Sequence, residues 1–273
     1  MYWTRRSFLK YAGLATGLLV MDCPIPSSLS ISQGQGICDD ETIEAAFLGM
    51  GQYGHGLGMR FLQNWPGDYP VNVQPKVQAR DQIESLAAQV KGKDLVFLAC
   101  DQYDMRTYVI LQGILSSKPY LVISLHPRTS PVPNLTHPSL GLLSTPPLSK
   151  FPLTWDPVTA ILSSLVNPGL IGVDLADLEH VLVGKKGKVD VKHLRYPFSV
   201  YHFQEWLLSM EPDQGQAAYI IIEHSRDLGL DIEEISNLAG IVNSAVMPEA
   251  SIFYSAPHSQ QPHKNMITII LAS

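Results

Sequence analysis

Apolar residues fall in short blocks separated by glycine and proline, and the spacing inside each block predicts its element. Ile43 to Leu48 is a compact apolar run of the kind that makes a buried strand, and it leads straight into Gly49, Gly51, Gly54 and Gly56. Leu57, Met59, Phe61 and Leu62 then recur at helical positions up to the stop at Pro66 and Gly67. A second unit follows, with helical spacing from Gln78 to Val90, a strand from Asp94 to Cys100, helical spacing from Tyr108 to Leu115, and an apolar strand from Tyr120 to Leu125. Strands alternating with helices predict an α/β, doubly wound parallel sheet.

From His126 to Pro157 the chain carries eight prolines and reads as an extended surface excursion without regular structure. Order returns with a helix over 158–166, a break at Asn167 to Gly169, a short apolar run from Leu170 to Val173, and a helix from Asp174 to Val183. Gly184 to Lys188 reads as a basic turn. The last third predicts a helix over 200–210, a strand over 217–222, a helix over 231–246 capped by Asp231, and strands over 250–256 and 266–271. Such an order suggests a smaller two-layer α+β domain whose sheet is open on one face. The expected organisation is therefore 1–36 as signal and linker, 37–183 as the α/β domain, and 184–273 as the α+β domain.

Charge and cysteine usage narrow the function. Lys and Arg total 19 against 25 Asp and Glu, a formal charge of −6, so no chain-wide positive field gathers phosphate backbones and nucleic acid is not an expected partner. Cys23, Cys38 and Cys100 are far apart without a C-x-x-C pair, and Cys100, at the end of an apolar run, reads as a buried free thiol. His258 and His263 stand beside Pro257 and Pro262 and read as solvated loop residues, so no metal is expected. At the start, Thr4 to Lys10 resembles a twin-arginine export signal, with Arg5 and Arg6 at its centre. The apolar run behind it, Tyr11 to Met21, is too short to cross about 30 Å of hydrocarbon but suits a signal-peptide core of about 7–15 residues. This pattern implies the twin-arginine translocase as a partner and an exported, periplasmic or membrane-associated protein; a solvated N-terminal helix on a cytoplasmic protein is the alternative.

The stretch Pro168-Gly169-Leu170-Ile171-Gly172-Val173-Asp174-Leu175-Ala176-Asp177-Leu178 resembles the synergy loop of FtsZ, the bacterial tubulin homologue. Other tubulin-superfamily features follow in the right order: Gly49 to Gly56 is similar to the family's first phosphate loop, Asp94 to Ala99 to its D-x-V-F-I-T-A strand, and Ala218 to Leu271 to its C-terminal domain. The resemblance implies an FtsZ-like fold over about residues 43–271. It also implies GTP with Mg²⁺ held in part by Gly49, Gly51, Gly54 and Gly56, with Asp174 and Asp177 as the catalytic acids that reach the nucleotide of the next subunit in a filament.

Departures from the family pattern shape the expectation. Where FtsZ has a second, glycine-rich phosphate loop, this chain reads Cys100-Asp101-Gln102-Tyr103-Asp104-Met105-Arg106-Thr107, without a glycine and with two acids beside a triphosphate's place. Gln52, Tyr53 and His55 stand at glycine positions of the first loop, and Gly172 replaces the family asparagine. Asp174 and Asp177 have the i, i+3 spacing of a catalytic pair and equally that of a helix cap and a first-turn acid. The leading expectation is a degenerate FtsZ-like protein without a cofactor, exported folded, serving as a structural or protein-binding module by self-association or through a protein partner. The alternative is a divergent GTPase that forms or caps filaments.

Overall fold

The structure is a computed structural model that describes residues 43–65, 90–131, 134–167, 169–193, 199–212, 215–225, 232–259 and 265–273. The expected signal with Arg5 and Arg6, Cys23 and Cys38, the expected helix as far as residue 89, Pro168, the Asp231 cap and His263 lie outside the described residues.

Strands β1 (Ala45–Gly49), β2 (Leu95–Ala99), β3 (Leu121–Pro127), β4 (Leu140–Thr145) and β5 (Lys186–His193) lie side by side and parallel. The last strand, β8 (Met266–Ala272), runs antiparallel to β5 on one side and to β6 (Ala217–Glu223) on the other, and β7 (Ser251–Ser255) pairs parallel with β6. The result is one eight-stranded sheet, ordered β1-β2-β3-β4-β5-β8-β6-β7, continuous across residues 183 and 184.

Seven residues of β6 and seven of β8 are buried without alternation, as an apolar run such as Ala218 to Ile222 requires when both faces are covered. Helices α1 (Gly51–Asn64), α3 (Pro157–Val166) and α4 (Leu175–Leu182) cover one face, where Leu57, Phe61, Ile161 and Val181 meet Phe97, Ile123, Tyr219 and Ile270. On the other face, α2 (Met105–Ser116) sets Ile110, Leu111 and Ile114 on Leu48, Val96, Leu98 and Val122. Beyond it, α5 (Val200–Leu208) and α6 (Ile232–Ala245) set Phe203, Leu207, Leu238 and Val242 on Ile220, Ile222, Ile267 and Ile269. The face of the C-terminal strands expected to be open is thus covered by α3 and α4, and Trp155 and Ser164 tie it down through hydrogen bonds to Thr268 (2.9 Å) and Tyr219 (2.8 Å).

Two strands occupy stretches where the sequence predicts none. β4 lies inside the proline-rich segment, because Pro138 and Pro146 bracket its six residues and leave their backbone amides free to pair with β3. β5 begins in the expected basic turn. Its exposed Lys186 and Lys188 alternate with buried Gly187 and Val189, a period-2 pattern that marks a strand rather than a turn. Among the described residues no helix is long and apolar enough to cross a membrane.

Candidate functional site

The first helix begins earlier than the glycine spacing predicts. Met50 is extended and its amide donates to the Ala99 carbonyl (2.7 Å), and α1 starts at Gly51, whose φ of +70° lies in the left-handed region. Gly54 and Gly56 are therefore helical residues, not turn residues, because close approach overrides their poor helix propensity. A Cβ on Gly54 would stand 2.3 Å from the Ala99 carbonyl oxygen, and one on Gly49 would stand 2.5 Å from the Gly54 oxygen. The start of α1 is seated directly on the ends of β1 and β2.

A helix that starts here points unpaired amides and a partial positive charge at whatever lies ahead, which is why such ends bind phosphate. What lies ahead is Asp101. Its Oδ2 accepts the Gln52 amide and its Oδ1 the Tyr53 amide, both at 2.6 Å. A Cβ on Gly51 would sit 1.6 Å from Oδ2, so glycine at this position also makes room for the carboxylate. The loop carrying Asp101 is fastened by Ser130, whose hydroxyl donates to the Asp101 carbonyl. Asp104 caps α2 by accepting the Thr107 amide (2.8 Å), and that bond holds its carboxyl below the usual range.

Beneath the loop lies an uncharged layer. Tyr53 shares a 2.6 Å hydrogen bond with Thr145, and the Tyr103 hydroxyl donates to Ser124 (2.8 Å) with His126 Nδ1 3.2 Å away. Burial pushes both phenols far up, lifts the Cys100 thiol to about 12, and pushes His126 down to about 4. At neutral pH Cys100 is a protonated thiol, buried and free as its sequence position predicts, and not a nucleophile. His126 is neutral, and its Nε2 is buried without a hydrogen-bond partner.

The second predicted group is elsewhere. Asp174 is the N-cap of α4: its Oδ1 accepts the Asp177 amide (2.8 Å), and Asp177 Oδ2 accepts the Asp174 amide (3.4 Å), a reciprocal capping box. The preceding loop is pinned beside β7, where Gly169 bridges Pro257 and the Leu170 amide donates to Ala256 (2.9 Å). Because α4 packs on β4 and β6 while α1 packs on β1 and β2, Gly49 to Gly56 and Asp174 with Asp177 are not brought together within one chain.

No protein-family model and no curated protein matches the sequence. Solved structures do. The empty FtsZ dimer of M. jannaschii superposes with a TM-score of 0.64 at 13% identity over 86% of this chain and 89% of that one, and the W319Y FtsZ mutant of the same organism with 0.62 at 15% over 84% and 90%. CetZ from Methanosaeta thermophila superposes with 0.57 at 13%, over 84% and 86%. The fold is that of FtsZ. A further neighbour, the GDP-form protofilaments of Bacillus thuringiensis serovar israelensis TubZ, has a TM-score of 0.54 at 9% identity, over 84% of this chain and 85% of that one. At the start of α1, the Gln52 and Tyr53 amides are both taken by Asp101. The sequence flags Asp101 as an acid near that place; its role as the partner of those amides joins residues 48 and 49 positions apart and has no local signature.

Proposed function

We propose that this chain is an FtsZ-like protein that has given up GTP switching and serves as a structural or protein-binding module, by self-association or with a protein partner. The observation that supports this reading is the Asp101 carboxylate, which accepts the Gln52 and Tyr53 amides in the first turn of α1 at 2.6 Å. Asp104 adds a second negative charge to the same loop, and no glycine there lets backbone approach an anion. Self-association is supported by the neighbours described as a dimer and as protofilaments. Export in the folded state is supported by Arg5 and Arg6 with the apolar run behind them, and agrees with a protein that needs no cytoplasmic GTP.

The test is calorimetric titration of the full chain with GTP and GDP in the presence of Mg²⁺. Absence of binding up to millimolar nucleotide is the expected result. Micromolar binding abolished by Gly51→Asp would overturn it and restore the GTPase reading, with Asp174 and Asp177 of one subunit acting on the nucleotide of the next. A reporter fused to residues 1–40 checks export separately: it should leave the cytoplasm, and cease to when Arg5 and Arg6 are both changed to Lys.

A further inference from the structure

Where β6 and β7 end, two histidines stand side by side. His224 and His258 are register partners in a parallel bridge just beyond the strands, so their side chains leave the same face of the sheet. Their rings meet at 68° with centroids 4.6 Å apart. His224 is 4% exposed, and its two ring nitrogens make no well-formed hydrogen bond, with only the backbone of Ser225 and Ala256 close by. A neutral imidazole offers one N–H and one lone pair, and burying either unmet costs about 1–3 kcal/mol, a cost that a leucine or phenylalanine filling the same space would avoid. The neighbouring Ser225 hydroxyl is likewise buried without a partner, while its amide is held by Asn265 Oδ1 at 3.1 Å. His258 is half-buried, which gives the pair a solvent-facing side.

An ordinary imidazole is mostly uncharged at neutral pH and has a lone pair to give. The separation of the rings suits a shared ion. Two imidazoles bound to one ion at about 2.0–2.1 Å, with a ligand angle between about 90° and 110°, place their ring centroids about 4.5–5.2 Å apart. We propose that His224 and His258 together bind a divalent transition-metal ion of the zinc class, for which imidazole is a fitting ligand. Among the described residues no third His, Cys, Asp or Glu gathers with them. The chain therefore supplies two donors, water completes the shell, and the ion is exchangeable rather than locked in a closed four-ligand site.

The experiment is a Zn²⁺ titration of the full chain in competition with a chromophoric chelator, run beside His258→Ala, His224→Phe and, as a control, His202→Ala on the exposed side of α5. The wild type and His202→Ala are expected to take up the same tightest ion, which the two site variants bind about tenfold or more weakly. Equal Zn²⁺ binding by the wild type and His258→Ala, or no binding by the wild type, overturns the proposal. If His224→Phe fails to fold, His258→Ala decides, with its urea melt set beside that of the wild type to show that it is folded.

Discussion

The N-termini of α1 and α4 solve the same problem in opposite ways. Each leaves amides unpaired, and each meets a carboxylate. At α4 the carboxylate belongs to the helix's own cap, Asp174, and the bond spans three residues. At α1 it comes from the far loop, Asp101, across 48 and 49 residues, and reaches the amides through a gap kept open by Gly51. A local cap forms wherever the sequence begins a helix, and so it carries little information about function. The long-range one depends on the whole β1-α1-β2 arrangement, so it reports on the tertiary structure rather than on the helix alone.

The comparison breaks most visibly through the seat of α1. Gly54→Ala pushes a methyl into the Ala99 and Gly49 backbone, 2.3 Å and 2.9 Å away, and is expected to cost about 3 kcal/mol or more in a urea melt, with no counterpart at α4. Acid is nearly as strong a lever. His126, held down to about 4, stays neutral in the folded protein while the unfolded chain takes up a proton below about 6.5, so stability falls as pH drops from about 6.5 to 4. The expected loss for this one group is on the order of 3 kcal/mol, and His126→Gln should flatten that part of the slope in melts taken across the range.

Asp101→Ala removes two charge-assisted bonds and is expected to cost about 2 kcal/mol. Gly51→Ala should cost a similar amount alone but only about 1 kcal/mol in the Asp101→Ala background, the residue of its positive φ; a double-mutant cycle that turns out additive would separate Gly51 from the carboxylate. The smallest effect belongs to α4, where Asp174→Ala should lower stability by about 1 kcal/mol, the usual worth of a cap.

Much of this architecture is legible in the sequence. The apolar runs at 43–48, 94–100, 120–125 and 217–222 are strands because they are short and uninterrupted, and the helices over 158–166 and 174–183 follow from amphipathic spacing and from the acids at the start of the second. β4 escapes because prolines at 138 and 146 dominate the local reading, although they stand outside the ladder. β5 escapes because its lysines draw attention away from the alternation of Gly187 and Val189 with charged neighbours. The early start of α1 runs against intrinsic propensity, since the helix holds four glycines, and Gly54 is there because backbone must lie against backbone. His224 and His258 are distant in sequence, and only the pairing of β6 with β7 makes them neighbours.

β8 follows in the chain both strands that it joins, β5 and β6. During synthesis β1 to β5 can assemble in order and β6 can find β7, yet the two groups have no shared ladder until residues 266–272 emerge. Knitting the sheet is therefore a late, long-range step, and two strand edges stay open until it is done.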